Sequence, residues 1–176
     1  YDIEKYFITN FNEIINISEN DKEKKHITDI ISCLYSYGFN VPSNVQQLCT
    51  IPMILKKDCI IQASSGCGKT AGFLTPLVCR IDTDLLETQG LILCHSRELA
   101  LQIFDISKEL FKNINLSIAM HIGGIKKEYN RNNVKSANYK EQLIICTPGR
   151  LFDLLGNEGK KKQFINFYYL KTLVLD

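Results

Sequence analysis

The sequence has no apolar run that approaches the length of a membrane span, no large net charge, no C-x-x-C pair and no histidines at metal-binding spacing. Each absence removes a class of protein. Without about 18–20 consecutive apolar residues there is no candidate transmembrane helix, and no membrane partner is expected. A net charge of +2 is too small to argue for nucleic acid by itself, because non-specific electrostatic binding needs a concentrated basic face. The cysteines at 33, 49, 59, 67, 79, 94 and 146 are odd in number and mostly sit inside apolar runs. That is the pattern of reduced, packed thiols in an intracellular protein of cytoplasm or nucleus, not of a disulfide frame or a zinc site. His26, His95 and His121 read as ordinary surface or packed residues. No internal repeat is present, and the first residues from Tyr1 are polar and charged without a secretory signal, so the start reads as a fragment boundary.

What is present has the size and balance of one globular domain: 176 residues, 45% hydrophobic and 23% charged. Residues 1–25 read as an N-terminal extension or linker, ending in the charged run Ser18 to Lys25, and residues 26–176 as the domain. Ile27, Ile30, Ile31 and Leu34 recur at helical spacing up to Tyr37, with Gly38 as the stop. A second helix is expected from Pro42-Ser43, with Val45, Leu48 and Cys49 on one face, until Pro52 interrupts. Beyond Lys57-Asp58 strand and helix patterns alternate. Strands are expected at Cys59–Ala63, Leu91–His95, Leu116–Ile122, Leu143–Thr147 and Thr172–Asp176. Helices are expected at Lys69 to Ile81, Glu98 to Asn113, part of Lys126 to Lys140, and Arg150 to Leu155. The polar stretches Lys126–Gln142 and Asn157–Gln163, with the triplet Lys160-Lys161-Lys162, read as helix surface and loop. Strands rich in Ile, Leu, Val and Cys without polar alternation imply burial on both faces, hence an α/β fold with a mainly parallel sheet flanked by helices.

The most specific local signal is Ala63-Ser64-Ser65-Gly66-Cys67-Gly68-Lys69-Thr70 between an expected strand and an expected helix. It fits G-x-x-x-x-G-K-[ST] except that Ala63 stands at the first position. Such a loop turns its backbone N–H groups onto an anion at the positive end of the following helix. Lys69 then reaches the β- and γ-phosphates and the Thr70 hydroxyl ligates Mg²⁺. A lysine between Gly68 and Thr70 has no packing role, whereas a triphosphate gives its charge a partner. Upstream, Gln46 offers an amide donor and acceptor of the kind that matches adenine's edge, although an isolated helix-surface glutamine reads the same way. His95-Ser96-Arg97-Glu98-Leu99-Ala100, Gly123-Gly124 and Thr147-Pro148-Gly149-Arg150 follow three successive expected strands. They place hydroxyls, free N–H groups and arginines at the ligand edge of the sheet, which suits a sugar-phosphate backbone. Read singly, Glu98 is equally a helix cap and Gly149-Arg150 equally a turn.

Taken in order, these segments resemble the first RecA-like domain of the DEAD-box ATP-dependent RNA helicases, from Ile27 to the last residue. Gly38 to Gln46 is similar to the family's Q motif and Ala63 to Thr70 to its motif I, where Ala at the first position is the family's habit. Arg97-Glu98-Leu99-Ala100 is similar to motif Ia, Gly123-Gly124 to the GG element, Thr147-Pro148-Gly149-Arg150 to motif Ib, and Val174-Leu175-Asp176 to the strand leading into D-E-A-D. The resemblance implies that Gln46 reads adenine with Phe39 and Val41 nearby. Ser64, Ser65, Gly66, Cys67, Gly68, Lys69 and Thr70 hold the phosphates of ATP, and Lys69 stabilises charge on the transferring γ-phosphoryl group. Thr70 and Asp176 hold Mg²⁺, and Ser96, Arg97, Gly123, Gly124, Thr147, Pro148, Gly149 and Arg150 grip RNA. Departures are His95-Ser96 for the family's Pro-Thr, Val41 where a basic residue is common, Cys67 for Thr, and an upstream aromatic for which Phe11 is the candidate.

The resemblance further implies a C-terminally incomplete domain. A later strand would lie between those ending at Ala63 and Asp176, a second RecA-like domain would complete the ATP site, and protein cofactors are possible partners. On that reading the chain alone is inactive in hydrolysis. Another P-loop nucleic-acid ATPase and a non-catalytic scaffold derived from a helicase domain stand as alternatives.

Overall fold

The structure, a computed structural model, describes residues 6–124, 141–155 and 165–176. The chain forms two compact units, residues 1–80 with 109–114, and residues 81–108 with 115–176.

The first unit is helical where it is regular. A 3-10 helix, Phe11–Ile17, opens with Asn10 as cap: its side chain accepts from the Asn12 N–H at 2.8 Å, and Glu13 reaches back to the Asn10 N–H at 3.0 Å. Helix α1, Asp21–Tyr37, begins where Asn20 accepts from the Lys22 N–H at 2.9 Å. Gly38 ends it with φ +105°, a left-handed conformation that glycine adopts without a Cβ penalty. The charged run expected as an irregular linker therefore supplies the cap and first turns of α1, and Asp21 and Glu23 oppose the helix dipole there. Its residues are solvated, but on a helix. The apolar stripe read from the sequence is buried: Ile27, Ile30, Ile31 and Leu34 join Phe11 and Ile14.

Helix α2, Asn44–Ile54, is capped by Ser43. Its inward face differs from the expectation: Gln46, Cys49 and Thr50 are buried, whereas Leu48 is exposed. The helix also continues past Pro52 to Ile54, since a proline so near the C-terminus removes only one intrahelical bond. Helix α3, Lys69–Cys79, is buried at every residue from Ala71 to Val78. It closes on α2 at Gly72, where a Cβ would meet Cys49 Sγ at 3.2 Å and where the Cys49 thiol donates to the Gly72 carbonyl.

Cys59–Ala63, expected as a strand, pairs with no strand among the described residues, and Ile60 is fully exposed. An extended apolar segment becomes a strand only when another edge accepts its N–H and C=O groups, and none does so here.

The second unit carries a four-stranded sheet of order β2-β3-β1-β4, parallel throughout. β1 is Gly90–Leu93, β2 Ile118–His121, β3 Leu143–Cys146 and β4 Thr172–Leu175. Helices α4, Arg97–Leu110, and α5, Pro148–Leu155, follow β1 and β3. β3 is buried at all of its residues, and on one face Leu91, Leu93, Ile144 and Cys146 pack with Leu151 and Leu154 of α5 and with Ile165, Phe167 and Leu170. Each fully buried aliphatic side chain of that layer contributes roughly 1.5–3 kcal/mol. The α/β class and parallel sheet are as the sequence implied. The helix expected within Lys126–Lys140 and the stretch Asn157–Gln163 lie outside the described residues.

Candidate functional site

The phosphate-type loop belongs to the first unit. Gly66 and Gly68 have φ +80° and +89°, and this pair of left-handed residues bends Ser64–Gly68 into a tight turn before α3. No side chain caps α3, so its first N–H groups stay available to an anion. Gly68 has a second reason to be glycine: a Cβ there would lie 2.8 Å from both Gln46 Nε2 and Ser43 Oγ. Lys69 Nζ folds back to donate to the carbonyls of Ala63 (2.5 Å) and Ser64 (2.9 Å). The Cys67 thiol donates to the same Ser64 carbonyl at 2.7 Å. The lysine's charge thus closes the loop on itself through neutral carbonyls, partners that a phosphate outcompetes.

Two side chains of α2 brace this turn. Ser43 Oγ donates to the Cys67 carbonyl at 2.9 Å, and Gln46 Nε2 donates to the Gly68 carbonyl at 3.3 Å. Gln46 Oε1 accepts from the Ser43 N–H at 3.0 Å, so both ends of the amide are engaged within the protein and the residue is buried. The sequence singled out Gln46 but missed Ser43. The signal was there in the spacing Ser43-x-x-Gln46 of a capping box. Phe39 is half-buried with its ring centroid 5.2 Å from that of Tyr37, and Val41 is exposed. Phe11, the candidate upstream aromatic, is buried edge-on against Tyr35 with centroids 6.1 Å apart, so its faces are committed to the core and not to a base.

The other expected residues belong to the second unit and gather at the C-terminal ends of the strands. Ser96 caps α4 by accepting from the Leu99 N–H at 3.2 Å, and Arg97 starts that helix with an exposed side chain. The Arg97 guanidinium lies over Gly123 and Gly124. A Cβ on Gly124 would come within 3.0 Å of Arg97 Cζ, and Gly124 has φ +80°. Thr147 takes the Leu151 N–H onto its carbonyl at the start of α5, Pro148 and Gly149 are exposed, and Arg150 pairs with Asp153 at 3.6 Å. Motif residues far apart in the chain, Arg97 and Gly124, are thus brought into contact. Behind them His121 is buried, and burial, with the Arg150 charge adding to it, pushes its imidazole down to about 4. Asp176 follows β4 with an exposed side chain, while its carbonyl accepts from the His95 N–H at 3.2 Å. Burial pushes the neighbouring Cys94 thiol up to about 11, with Asp176 contributing, so this cysteine is an inert packed group.

A glycine-lysine turn at a bare helix N-terminus and a parallel α/β sheet with motif residues at its C-terminal strand ends define a P-loop domain of the RecA-like kind. The sequence profile described as DEAD/DEAH box helicase matches residues 44–176. The ATP-dependent RNA helicase FAL1 of Mycosarcoma maydis is 34% identical over 148 residues, 84% of this chain and 35% of that protein. The ATP-dependent RNA helicase eIF4A of Meyerozyma guilliermondii is 32% identical over the same shares. A DEAD box protein from Methanococcus jannaschii superposes with a TM-score of 0.74 at 28% identity, covering 96% of this chain and 41% of that one. A variant of S. cerevisiae Dbp5 bound to RNA and ADP BeF3 superposes with 0.69 at 25% identity, covering 84% and 35%. This chain belongs to the DEAD/DEAH box helicase family. It spans about a third of the length of the curated relatives it matches.

Proposed function

We propose that the chain is the ATP- and RNA-binding part of the first motor domain of an ATP-dependent RNA helicase, one that unwinds short duplexes or remodels RNA–protein complexes. The observation that carries this reading is the Lys69 loop: a cation held by weak neutral acceptors at an uncapped helix N-terminus is primed for phosphate. In this reading Ser64 through Thr70 wrap the ATP phosphates and Lys69 leaves its carbonyl partners for the β- and γ-phosphates. Gln46 trades its hold on Gly68 for adenine, with Phe39 and Val41 beside the base. Because Gln46 and Ser43 brace the loop through its carbonyls, base recognition and phosphate grip are mechanically linked in one unit.

The Thr70 hydroxyl and the exposed Asp176 carboxylate are hard oxygen donors of the kind Mg²⁺ takes, and on the family resemblance they would hold it. Mg²⁺ would supply charge neutralisation on the phosphates. RNA would lie on Ser96, Arg97, Gly123, Gly124, Thr147, Pro148, Gly149 and Arg150, where two guanidiniums and small residues favour phosphate contacts over base readout. A second RecA-like domain, and protein cofactors, would complete the machine. The Gln46 element and the Thr147–Arg150 segment favour this over a P-loop ATPase acting on DNA.

The test is binding of a fluorescent adenine nucleotide with Mg²⁺, competed by ATP and by GTP, together with single-stranded RNA and DNA titrations. Competition by ATP but not GTP, and a preference for RNA, are expected. Equal competition, or binding that survives Lys69→Ala, would defeat the proposal.

A further inference from the structure

Past the paired residues of β1 and β4 the ladder between the two strands continues. The Asp176 N–H donates to the Leu93 carbonyl at 2.9 Å and the His95 N–H donates to the Asp176 carbonyl at 3.2 Å, the alternation by which a parallel pair extends one rung further. His95 then turns its side chain on the same group: the ring nitrogen Nδ1 stands 3.4 Å from the Asp176 carbonyl oxygen. That oxygen has two lone pairs and no proton, so it takes both contacts as hydrogen bonds when the ring carries its proton on Nδ1. His95 and Asp176 are both exposed, so the contact is not forced by core packing.

What lies on either side gives the contact a use. Directly after His95, Ser96 caps α4 by accepting from the Leu99 N–H, and the Arg97 guanidinium lies over Gly124. Asp176 is the acid that the proposed function sets at Mg²⁺. One residue therefore grips the main chain of the nucleotide-side acid and opens the turn that carries the RNA-side arginine. Proline, which the family resemblance leads one to expect at this place, makes neither bond, because it has no N–H and no side-chain donor. The departure at position 95 thus exchanges a residue with no hold on the Asp176 carbonyl for one that holds it twice.

We propose that His95 is a positioning residue that fixes the main chain at Asp176 through its own N–H and its ring Nδ1, so that RNA binding at Ser96 and Arg97 and Mg²⁺–nucleotide binding at Asp176 reinforce one another. The two ligands rest on the proposed function and the contact on geometry alone, and the test keeps these apart. Nitrogen NMR of the histidine-labelled protein, with His95 assigned by its loss in His95→Asn, reads the contact without any ligand. The Nδ1–H tautomer is expected in the neutral ring, and an Nε2–H tautomer would overturn the proposal. The coupling is the ratio of the Kd values of the full-length protein for a non-hydrolysable ATP analogue with Mg²⁺, measured without and with saturating single-stranded RNA. A ratio of about fivefold or more is expected. His95→Ala and His95→Gln should lower it by roughly threefold or more, while His95→Asn, whose Nδ2 stands where the ring Nδ1 stood, should keep it. A ratio unchanged in His95→Ala, or lost equally in His95→Ala and His95→Asn, would overturn the proposal and leave the contact as strand-end packing. Analogue and RNA bound with a ratio of about 1 would overturn the coupling alone, since independent sites carry no coupling free energy. Neither ligand bound, with the Nδ1–H tautomer present, would overturn it together with the proposed function.

Discussion

Lys69 and Gly68 carry opposite burdens in the same turn. Lys69 makes its bonds to neutral loop carbonyls at the edge of the fold, so Lys69→Ala should leave the thermal midpoint nearly unchanged while weakening nucleotide binding by at least tenfold, about the 1.5–3 kcal/mol of a charge-assisted contact. Gly68→Ala should damage both. Its left-handed φ strains any side chain by roughly 1–2 kcal/mol, and its Cβ would strike Gln46 and Ser43, the two braces of the turn. Calorimetric titration with ADP, alongside a melting curve of each variant, separates the two effects. His121 makes a pH prediction. Its folded value near 4 lies below the ordinary 6.5, so between those limits the unfolded chain takes up a proton that the native chain refuses. Stability is full above that window and falls as pH drops through it, by up to roughly 3 kcal/mol. Denaturation midpoints measured across the window should show this slope, and His121→Asn should flatten it.

At the scale of elements, the ends of helices do the functional positioning. Ser43 caps α2 and holds the Cys67 carbonyl with the same hydroxyl, so Ser43→Ala should cost about 1 kcal/mol of stability through the cap and loosen the phosphate turn as well. A drop in nucleotide affinity larger than the change in melting would separate the two roles. In the second unit, α4 begins with Arg97 laid over Gly124. Gly124→Ala should displace the guanidinium and lower RNA affinity severalfold while nucleotide binding stays as it was, read by anisotropy of a labelled RNA. Were RNA affinity unaffected, Arg97 would not be held in place by this contact.

At the scale of the whole molecule, the chain carries sheet edges and apolar surface without partners. Among the described residues β4 pairs on one side only, with Leu173 and Leu175 exposed, and Cys59–Ala63 pairs with nothing. Exposed strand edges of this kind promote association. On the proposed function, in which a second RecA-like domain completes the ATP site, the purified chain should bind adenine nucleotide and RNA weakly and show no RNA-stimulated hydrolysis, whereas a longer protein that carries both should hydrolyse ATP. Phosphate release measured with and without RNA decides this, and appreciable turnover by the chain alone would count against the proposed division of labour.

The sequence by itself determined the local chemistry, because that chemistry is encoded in short range: the Gly-Lys-Thr turn, the apolar β1, β3 and β4, and the stripe of α1 follow from neighbouring residues. It also put Arg97, Gly123-Gly124 and Thr147–Arg150 after successive strands, where β1, β2 and β3 end. What required tertiary structure were partnerships between distant residues. The strand at Cys59–Ala63 was misjudged because pairing, not apolarity, makes a strand. Phe11, the candidate upstream aromatic, is buried against Tyr35 instead, a contact that depends on a helix whose start at Asn20 the charged run conceals. The face of α2 turned inward at Gln46 in place of Leu48 because the phosphate turn supplies an acceptor for a buried amide, and a polar residue sinks only where such a partner waits. Arg97 over Gly124 is likewise a decision of packing: a linear chain does not say which residues the fold will set side by side.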